Sequence, residues 1–379
     1  MIYLLPNLFS KLAVSKHVHI HRLKVDKYYL GGIFLDAFFS ELVKKVIVNY
    51  PLEVKHRYLE YIDEKKAEWP IDTNIGEVLL KKVLIDEKYI EFMIYAIDYL
   101  RDNGVFTPEV LTTKLGEGFV RMKDENFMLF EAVNGMRPNF ESEEDLILMM
   151  NGIASFHKAS IGIELTNEHV SSIQSNWKND LQTKFIKLTN WKEELPKIKH
   201  QNEIDKLFLK NINSVLMQCE KALAIIDKYI AEVVEETAKT KTLCYQNFDV
   251  NDLIIGEDGN LYFLNMSSLK IELPIHDMRR ILNIIMKKEK NWNPKLMKKL
   301  IIAYQEINPL ACMQYQFLKA DLLFPHLFYD VFSTHYENKE TLGGDPSLVS
   351  KMKKIIALEL NKEKLFSSFF VRTNEVLND

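Results

Sequence analysis

The chain has 379 residues, 47% of them hydrophobic, and its 49 basic residues nearly balance 53 acidic ones, for a formal net charge of −4. This length exceeds the usual size of one compact domain and predicts two lobes or domains. The sequence contains no long block of like charges, so neither a nucleic-acid-binding tract nor an acidic tail is indicated. The basic clusters at 286–290 and 351–354 fall inside helical patterns, which favours solvated helix faces.

Three cysteines, Cys219, Cys244 and Cys312, indicate neither a disulfide framework nor a zinc site, so a reducing compartment is expected. The apolar N-terminus lacks a basic region and a small-residue cleavage site. The apolar run at 29–39 is too short to cross a bilayer and contains Asp36. We therefore expect no signal peptide, no membrane span, and a protein that stays on the cytoplasmic side of any membrane.

The residues before 134 have the pattern of a small β-rich lobe. Runs of aromatic and β-branched residues predict strands, and the spacing of apolar residues predicts one helix that stops at Asn103-Gly104. In chain order these are two strands within 54–73 joined by a charged turn at 63–66, a strand at 77–83, a helix at 87–102, and strands at 111–115 and 126–133. A turn-rich connector follows at 134–138.

Helices dominate after this connector. They are predicted at 142–159, within 203–235, and at 276–288, 294–306, 312–337 and 347–368. The strand-like interruption at 252–265 consists of two apolar runs around Asp258-Gly259, which predicts a short hairpin.

This order of elements is the plan of the bilobal protein-kinase-like fold, an α+β fold with a small β-rich N-lobe and a large helical C-lobe. We expect four segments: an N-terminal extension over 1–39, the small lobe over 40–133, a hinge over 134–138 and the helical lobe over 139–379.

Six stretches of the chain resemble the CotS-type family of bacterial spore coat proteins, which shares the fold of aminoglycoside phosphotransferases and choline kinases. They occur in the family's order, at 69–83, 130–138, 153–160, 273–282, 304–310 and 322–328. The resemblance implies that other spore coat proteins are the partners. It also implies that a working site would bind ATP and Mg²⁺.

The catalytic loop is altered in this chain. The kinase pattern His-x-Asp-x-x-x-x-Asn falls on Tyr245, Asn247 and Asp252 in "LCYQNFDVNDLII". The resemblance gives the central Asp the role of accepting the substrate hydroxyl's proton, but Asn247 has only an amide oxygen and cannot do this. General-base catalysis contributes on the order of 10²–10⁴ in rate. Asp249 is either a substitute base or an exposed loop acid.

The nucleotide and metal positions are partly kept. The resemblance implies that Lys81 binds the nucleotide phosphates; alternatively, it is a surface lysine of its strand. Glu87 or Glu91 could be the acid that pairs with Lys81, or both are solvent-facing helix residues. The two Mg²⁺ positions fall on Asp252 and Asn265, so one negative charge moves across the site without being abolished. Nucleotide and metal binding therefore both stay open.

Two further features have alternative explanations. By resemblance, Asp277 braces the catalytic loop through hydrogen bonds; alternatively, it is a helix N-terminal acid favoured by the dipole. On a strand, His17, His19 and His21 share one face and could bind Zn²⁺ or Cu²⁺, or they form a solvated face.

These patterns lead to one hypothesis and two alternatives. The hypothesis is a spore coat-associated kinase-fold pseudoenzyme with a structural or scaffolding role in coat assembly, made in the mother-cell cytoplasm and deposited in the spore coat. One alternative is an active ATP-dependent phosphotransferase acting on a small molecule or a coat protein. The other is a module that binds nucleotide without turnover.

Overall fold

The computed structural model describes residues 41–57, 61–63, 66–164, 177–240, 242–246, 248, 250–289, 291–337 and 346–377. Contacts divide the chain into two compact units: Met1–Val83 with Thr112–Leu129, and Leu84–Leu111 with Phe130–Asp379. The predicted extension at 1–39, with His17, His19 and His21, lies outside the described residues. The four predicted segment boundaries stay predictions.

The described residues form twelve strands, and their α-helices are numbered α1 to α10. The strands are β1 (Val54–Arg57), β2 (Tyr61–Asp63), β3 (Lys66–Thr73), β4 (Gly76–Val83), β5 (Val110–Leu111), β6 (Val120–Met122), β7 (Glu125–Glu131), β8 (Gly135–Met136), β9 (Leu243–Cys244), β10 (Leu253–Gly256), β11 (Leu261–Phe263) and β12 (Lys270–Ile271). The helices are α1 (41–47), α2 (Glu87–Asp102), α3 (Glu143–Ser160), α4 (Trp177–Glu194), α5 (Glu203–Thr240), α6 (Pro274–Glu289), α7 (Pro294–Ile307), α8 (Cys312–Leu323), α9 (His326–Glu337) and α10 (Pro346–Leu377).

The first unit is built on a sheet in which β1, β3, β4 and β7 lie in that order, with β2 beside β3 and β6 beside β7. In the antiparallel β3–β4 pair, Trp69 lies opposite Leu80 and Glu68 lies opposite Lys81. Trp69 and Leu80 are buried, and the ring centroids of Trp69 and Phe127 are 6.2 Å apart. Because the apolar residues fix this register, Lys81 lies directly beside Glu68.

The second unit is mainly helical. α3 packs against α7, α6 packs against α8, and the long helix α5 packs against α4, α8 and α10. Buried aromatic rings fill the space between α5 and α9, where the centroid of Phe208 lies 5.7 Å from that of Phe328 and 5.1 Å from that of Phe332. The fold-class prediction of a mixed, kinase-like α+β protein is confirmed.

Most predicted elements are present. The predicted helix at 87–102 is α2, which follows the N-cap Asp86 and ends before Gly104, whose φ of 84° suits a helix C-terminus. The predicted hairpin is β10–β11, with Gly259 at φ 80° in its turn. The other predicted helices at 142–159, 203–235, 276–288, 294–306 and 347–368 correspond to α3, α5, α6, α7 and α10.

The helix α4 was not predicted from the sequence. Leu181 and Leu188 are its buried residues, so its apolar period is weak and most of its side chains are polar. The strand predicted at 111–115 is present only as the two-residue β5, and β2 and β6 are strands that were not separately predicted.

The single helix predicted at 312–337 was wrong, because two helices occupy this range. α8 ends at Leu323, and Phe324 has an extended backbone with ψ 133°. Phe324 precedes Pro325, whose ring disfavours a helical conformation at the residue before it.

A buried carboxylate joins three helices of the second unit. Asp321 in α8 accepts hydrogen bonds from His276 Nδ1 at 2.7 Å and Arg279 Nε at 3.1 Å, both in α6, and from His326 Nε2 in α9 at 2.9 Å. Burial by itself raises the pKa of Asp321, but Arg279 and the two histidines outweigh it and hold the pKa well below its ordinary value. These helices are therefore fixed by a polar hub as well as by apolar packing.

The connector predicted at 134–138 contains β8, which pairs with β10 so that Gly135 lies opposite Gly256. A Cβ atom added to Gly135 would lie 2.1 Å from the carbonyl oxygen of Ile255. Because that oxygen belongs to the backbone of the paired strand, this pairing requires glycine at residue 135.

We expect Gly135→Ala to lower the free energy of unfolding by roughly 1–3 kcal/mol through overpacking against β10, as measured by urea denaturation. Gly152→Ala in α3 is the matched control. Its added Cβ meets the end of the Leu261 side chain, which can move, and alanine favours the helix. A Gly135→Ala protein as stable as wild type would show that the β8–β10 pairing is dispensable.

Candidate functional site

The candidate loop, residues 245–252, connects β9 to β10 in the second unit. β9 pairs with β12, so that Leu243 lies opposite Ile271 and Cys244 opposite Lys270. The backbone N–H of Leu243 also donates to the side-chain oxygen of Ser160 in α3, at 3.0 Å. The start of the loop is therefore anchored to a strand on one side and to α3 on the other.

Asp277, in the first turn of α6, holds the beginning of the loop. Its Oδ2 accepts from the backbone N–H of Tyr245 at 2.6 Å and from His157 Nε2 at 3.1 Å. Its Oδ1 accepts from the backbone N–H of Gln246 at 3.0 Å and from Arg280 Nη1 at 3.1 Å. The prediction that Asp277 braces the loop is confirmed, and a dipole role alone does not account for these four donors.

A buried hydrogen-bonded chain leads from α7 to this carboxylate. Asn308 Nδ2 donates to the Tyr304 hydroxyl at 2.8 Å, and that hydroxyl lies 2.8 Å from His157 Nδ1. Because the Tyr304 hydroxyl oxygen accepts from Asn308, its own O–H is free to donate to His157 Nδ1. The ring proton of His157 then lies on Nε2, which donates to Asp277. This order assigns the imidazole tautomer and connects α3, α6 and α7 through polar groups.

The loop backbone turns sharply at Gln246, whose φ of 70° lies in the left-handed region. Such a conformation costs a residue other than glycine on the order of 1–3 kcal/mol. The Gln246 side chain donates through Nε2 to Glu272, and its Oε1 accepts from Arg280 Nη2 at 2.7 Å. Side-chain and backbone contacts together hold this turn.

The pKa of Asp277 reflects these contacts. Burial by itself raises the pKa of this carboxyl, but the hydrogen bond from His157, the charge of Arg280 and the Tyr245 N–H outweigh it, and the pKa is lowered from its ordinary value. Asp277 is therefore ionised whenever the protein is folded near neutral pH.

Tyr245, at the position of the family's histidine, is a buried aromatic anchor. Its ring centroid lies 5.1 Å from that of Phe263 in β11, 5.2 Å from that of Phe248 and 6.0 Å from that of Phe156 in α3. Its hydroxyl lies 3.4 Å from the carbonyl oxygen of Asp252. Tyr245 therefore packs beneath the loop, and its hydroxyl connects the first residue of the loop to the last, Asp252.

The structure brings the two predicted metal positions together. Asn265 Nδ2 donates to Asp252 Oδ2 at 3.1 Å, and Asn265 Oδ1 accepts from the backbone N–H of Ser267 at 3.1 Å. The backbone N–H of Leu264 donates to the carbonyl oxygen of Asp252 at 2.9 Å. In this arrangement the Asn265 amide donates to Asp252 Oδ2, an oxygen that a metal ion at these positions would bind. Their role as metal ligands stays a prediction.

Lys81 is half-buried in the first unit, where its ammonium lies 3.3 Å from the carboxylate of Glu68. The neighbouring Lys82 pairs in the same way with Glu125. Glu87 and Glu91 lie in α2, with Glu91 exposed. The nucleotide-binding role of Lys81 and its pairing with an acid of α2 stay predictions.

Asn247 and Asp249, the candidate base positions, lie outside the described residues. The sequence alone shows that an amide stands where the family has its catalytic carboxylate.

Besides Asp277, five residues that hold the loop were not predicted from the sequence. These are His157, Gln246, Glu272, Arg280 and Tyr304. His157, Arg280 and Tyr304 fall within the family-like stretches 153–160, 273–282 and 304–310, which was the available signal. Their contact with one another depends on tertiary structure.

His157, Cys244 and Asp277 also bring three possible metal-ligand atoms within 4.8 Å of one another. Both ring nitrogens of His157 are already hydrogen bonded. Burial raises the pKa of the Cys244 thiol well above its ordinary value, so the thiol stays protonated. This group therefore acts as part of the brace around the loop.

Comparison with solved structures defines the class of protein. An aminoglycoside phosphotransferase from Alicyclobacillus acidocaldarius subsp. acidocaldarius DSM 446 has a TM-score of 0.74 and 15% identity, covering 88% of this chain and 96% of that one. Spectinomycin phosphotransferase APH(9)-Ia, in complex with ADP and spectinomycin, has a TM-score of 0.58 and 11% identity, covering 86% and 98%. The chain therefore has the kinase-like fold of aminoglycoside phosphotransferases.

A third structure has the same architecture. Amicoumacin kinase hAmiN, in complex with AMP-PNP, Ca²⁺ and Ami, has a TM-score of 0.55 and 11% identity, covering 88% of this chain and 96% of that one. At such identities the likeness concerns the fold.

Sequence similarity identifies the family within this class. The family described as "Spore coat putative kinase YutH" matches residues 60–369. Spore coat protein S of Bacillus subtilis (strain 168) is 26% identical over 334 residues, which cover 86% of this chain and 92% of that protein. The chain belongs to this spore coat kinase family, and the predicted family resemblance is confirmed. Among the helices that the structure describes, none has the length and apolar character to cross a membrane.

We expect Asp277→Asn to lower the free energy of unfolding at pH 7 by roughly 3–5 kcal/mol, because it removes the buried charge that pairs with Arg280 and the loop donors. The folded-state pKa of Asp277 lies below its unfolded value of about 3.9. Its stabilisation is therefore fully present above the unfolded-state pKa, and it is lost as the pH falls below that value and through the lower folded-state pKa. The difference between wild type and variant should narrow below about pH 4 in urea denaturation.

Asp180→Asn, an exposed acid in α4, is the matched control and should follow the wild-type curve. A constant difference between wild type and Asp277→Asn at every pH would show that Asp277 is not a charged hydrogen-bond acceptor in the folded protein.

Proposed function

We propose that this chain is a kinase-fold pseudoenzyme with a structural or scaffolding role in the spore coat. One observation carries the proposal: the frame around the candidate loop is complete, while the residue that would perform chemistry, at position 247, is an asparagine. An amide cannot accept a proton from a substrate hydroxyl near neutral pH. The hydrogen bonds that hold the loop on Asp277 are kept, while the catalytic carboxylate is replaced by Asn247. This combination fits a protein whose role depends on its fold and not on catalysis.

The metal positions support the same proposal. Mg²⁺ sites generally use one or two carboxylates together with substrate phosphates. Here Asp252 is the carboxylate, and Asn265 points an amide donor towards it while its own oxygen is bound to Ser267. The two side chains satisfy each other, so Mg²⁺ binding would require the amide of Asn265 to turn.

The scaffold role places the protein among coat components. It would be made in the mother-cell cytoplasm and deposited on the forespore through contacts with other coat proteins. Membership of a spore coat family supports this route. Binding of nucleic acid is not part of the proposal, since the charge balance offers no basic tract.

An active phosphotransferase is the second candidate, and one observation favours it. Asn265 Nδ2 lies 3.1 Å from Asp252 Oδ2, so a turn of the Asn265 amide would bring its oxygen beside the Asp252 carboxylate. Such an enzyme would use ATP and Mg²⁺, with Asp252 and Asn265 as the metal ligands and Lys81 as the residue that binds phosphate. A module that binds nucleotide without turnover would use the same residues.

We expect the purified protein to transfer no γ-phosphate from ATP and Mg²⁺ to a panel of aminoglycosides, small alcohols and coat-protein extract, measured with radiolabelled ATP. The loss of the base alone removes a factor on the order of 10²–10⁴. Lys81→Ala and Asp252→Ala proteins set the background. Transfer by wild type that both substitutions abolish would overturn the pseudoenzyme proposal.

Thermal unfolding with ATP, with and without Mg²⁺, separates the remaining candidates. A ligand that binds the folded state raises the transition temperature by mass action. No rise at millimolar ATP agrees with a scaffold. A Mg²⁺-dependent rise that Lys81→Ala abolishes would replace the scaffold by a nucleotide-binding module.

In the sporulating bacterium, coat assembly should depend on the frame and not on the loop chemistry. A strain carrying Asp252→Ala should build a coat with wild-type protein composition, because the fold is unchanged. A strain carrying Asp277→Ala should lose coat proteins, because the loop frame collapses. Coat composition is measured by mass spectrometry of purified spores, with the level of each variant checked by immunoblot. A coat defect in Asp252→Ala spores that contain normal amounts of the protein would contradict a purely structural role.

A further inference from the structure

A partly exposed aromatic surface lies on the second unit. It consists of Tyr95 and Tyr99 in α2, Phe106 in the segment after α2, Ile161 after α3, and Tyr262 in β11; we call it the aromatic face. Tyr99 and Tyr262 are half-buried, and the other three residues are exposed. Phe106 is 40% exposed and Ile161 46% exposed. Large apolar side chains usually cluster on a surface where it meets another molecule.

Contacts show that these side chains are neighbours. The ring centroids of Tyr95 and Tyr99 are 6.4 Å apart, and the Tyr99 hydroxyl donates to the carbonyl oxygen of Ile161 at 3.2 Å. The ring centroids of Phe106 and Tyr262 are 5.5 Å apart. The two groups are close along the chain, since Tyr99 lies near the end of α2 and Phe106 lies four residues after its last residue, Asp102.

Acidic side chains surround the aromatic face. Five exposed carboxylates lie around it, on Asp98, Asp102, Glu109, Glu131 and Asp258. The guanidinium of Arg101 lies among them, 3.5 Å from Glu109.

The pKa shifts of two groups show that these charges act on one another. Burial raises the pKa of Asp98, with Asp102 and Glu109 adding to the rise and Arg101 opposing it. Burial likewise raises the pKa of Tyr262, with Asp258 and Glu131 adding to the rise. The acidic rim therefore extends from α2 across to the β10–β11 hairpin.

We propose that the aromatic face and its acidic rim dock a cationic polypeptide segment, rich in lysine or arginine and containing aromatic side chains. Ammonium and guanidinium groups bind carboxylates and also lie over aromatic rings. Aromatic side chains of the partner would pack on Phe106 and Tyr262. The inference rests on the proposed scaffold function only in naming another coat protein as the source of this segment.

The charge of the rim argues against other occupants. An anionic lipid surface or a nucleic acid would be repelled by the five carboxylates. A symmetric contact with a second copy would place the same acidic rim of each chain against that of the other, which is unfavourable. A basic segment is the partner whose charge complements the surface.

Binding to synthetic polymers tests the proposal with the full chain. The probes are a fluorescent lysine–tyrosine random copolymer, poly-lysine of equal length, and a glutamate–tyrosine copolymer, followed by anisotropy at low ionic strength. We expect binding in the order lysine–tyrosine, then poly-lysine, with no binding of the glutamate–tyrosine copolymer. Binding should weaken as salt is added, because exposed charges are screened.

Charge reversal locates the site. Asp102→Lys with Glu131→Lys should weaken binding of the lysine–tyrosine copolymer by about tenfold. Glu193→Lys with Glu220→Lys, on exposed positions of α4 and α5, changes the net charge equally and should have little effect. Phe106→Ser should weaken binding of the lysine–tyrosine copolymer and leave poly-lysine binding unchanged. Thermal unfolding confirms that each variant is folded.

Three results would overturn the proposal. Equal losses in the two charge-reversed proteins would mean that only net charge matters, and equal binding of all cationic probes by Phe106→Ser and wild type would remove the aromatic contribution. Self-association in sedimentation equilibrium that Asp102→Lys with Glu131→Lys abolishes would make the surface a self-contact. None of these measurements depends on phosphoryl transfer, so the pseudoenzyme proposal stands or fails separately.

Discussion

The conformation of the candidate loop depends on one buried carboxylate. Burying an ionised carboxylate costs several kcal/mol unless hydrogen bonds and countercharges compensate for it. Asp277 has four donors, two of them loop backbone N–H groups that would otherwise lie buried and unpaired. The loop N–H groups compensate for the burial of the Asp277 carboxylate, and the carboxylate in turn supplies the hydrogen-bond acceptor that these buried N–H groups require. Through His157 and Arg280 the same group also connects α3 to α6.

The groups that hold the loop in place are therefore different from the side chain at the family's catalytic position, residue 247. The loop's donors to Asp277 are the backbone N–H groups of Tyr245 and Gln246, so they do not depend on the side chain at position 247. A catalytic residue can therefore be exchanged there without loss of the fold. This accounts physically for a fold shared by aminoglycoside phosphotransferases and a spore coat family, and fold alone does not establish activity.

Buried charge is used again elsewhere in the helical unit. Asp321 joins α6, α8 and α9, and a fully buried pair, Glu359 and Lys362 in α10, satisfies backbone groups at the junction of α8 and α9. Lys362 Nζ donates to the carbonyl oxygen of Phe324 at 2.9 Å, and Glu359 Oε1 accepts from the backbone N–H of Leu327 at 2.9 Å. The bend imposed by Pro325 leaves these backbone groups without helical partners, and α10 supplies them. The acidic rim of the aromatic face differs in that its charges remain in solvent.

Local pattern in the sequence determined most elements and the fold class. Apolar spacing and capping residues predicted α2, α3, α6 and α7, and Asp258-Gly259 predicted the β10–β11 hairpin, because these signals act within a few residues. The order of motifs identified the family and singled out Asp277, Asp252 and Asn265. α4 escaped prediction because few of its residues are buried.

Tertiary structure decided which residues act together. His157 in α3 reaches Asp277 in α6, and Tyr304 in α7 reaches His157. Neither spacing nor composition records those contacts. Gln246 takes a left-handed conformation because Asp277, Glu272 and Arg280 hold it there, against its local preference. The aromatic face likewise draws on α2, α3 and β11. Local sequence signals act between neighbours along the chain. The contacts around Asp277 and within the aromatic face also join residues far apart in sequence, such as His157 with Asp277 and Phe106 with Tyr262.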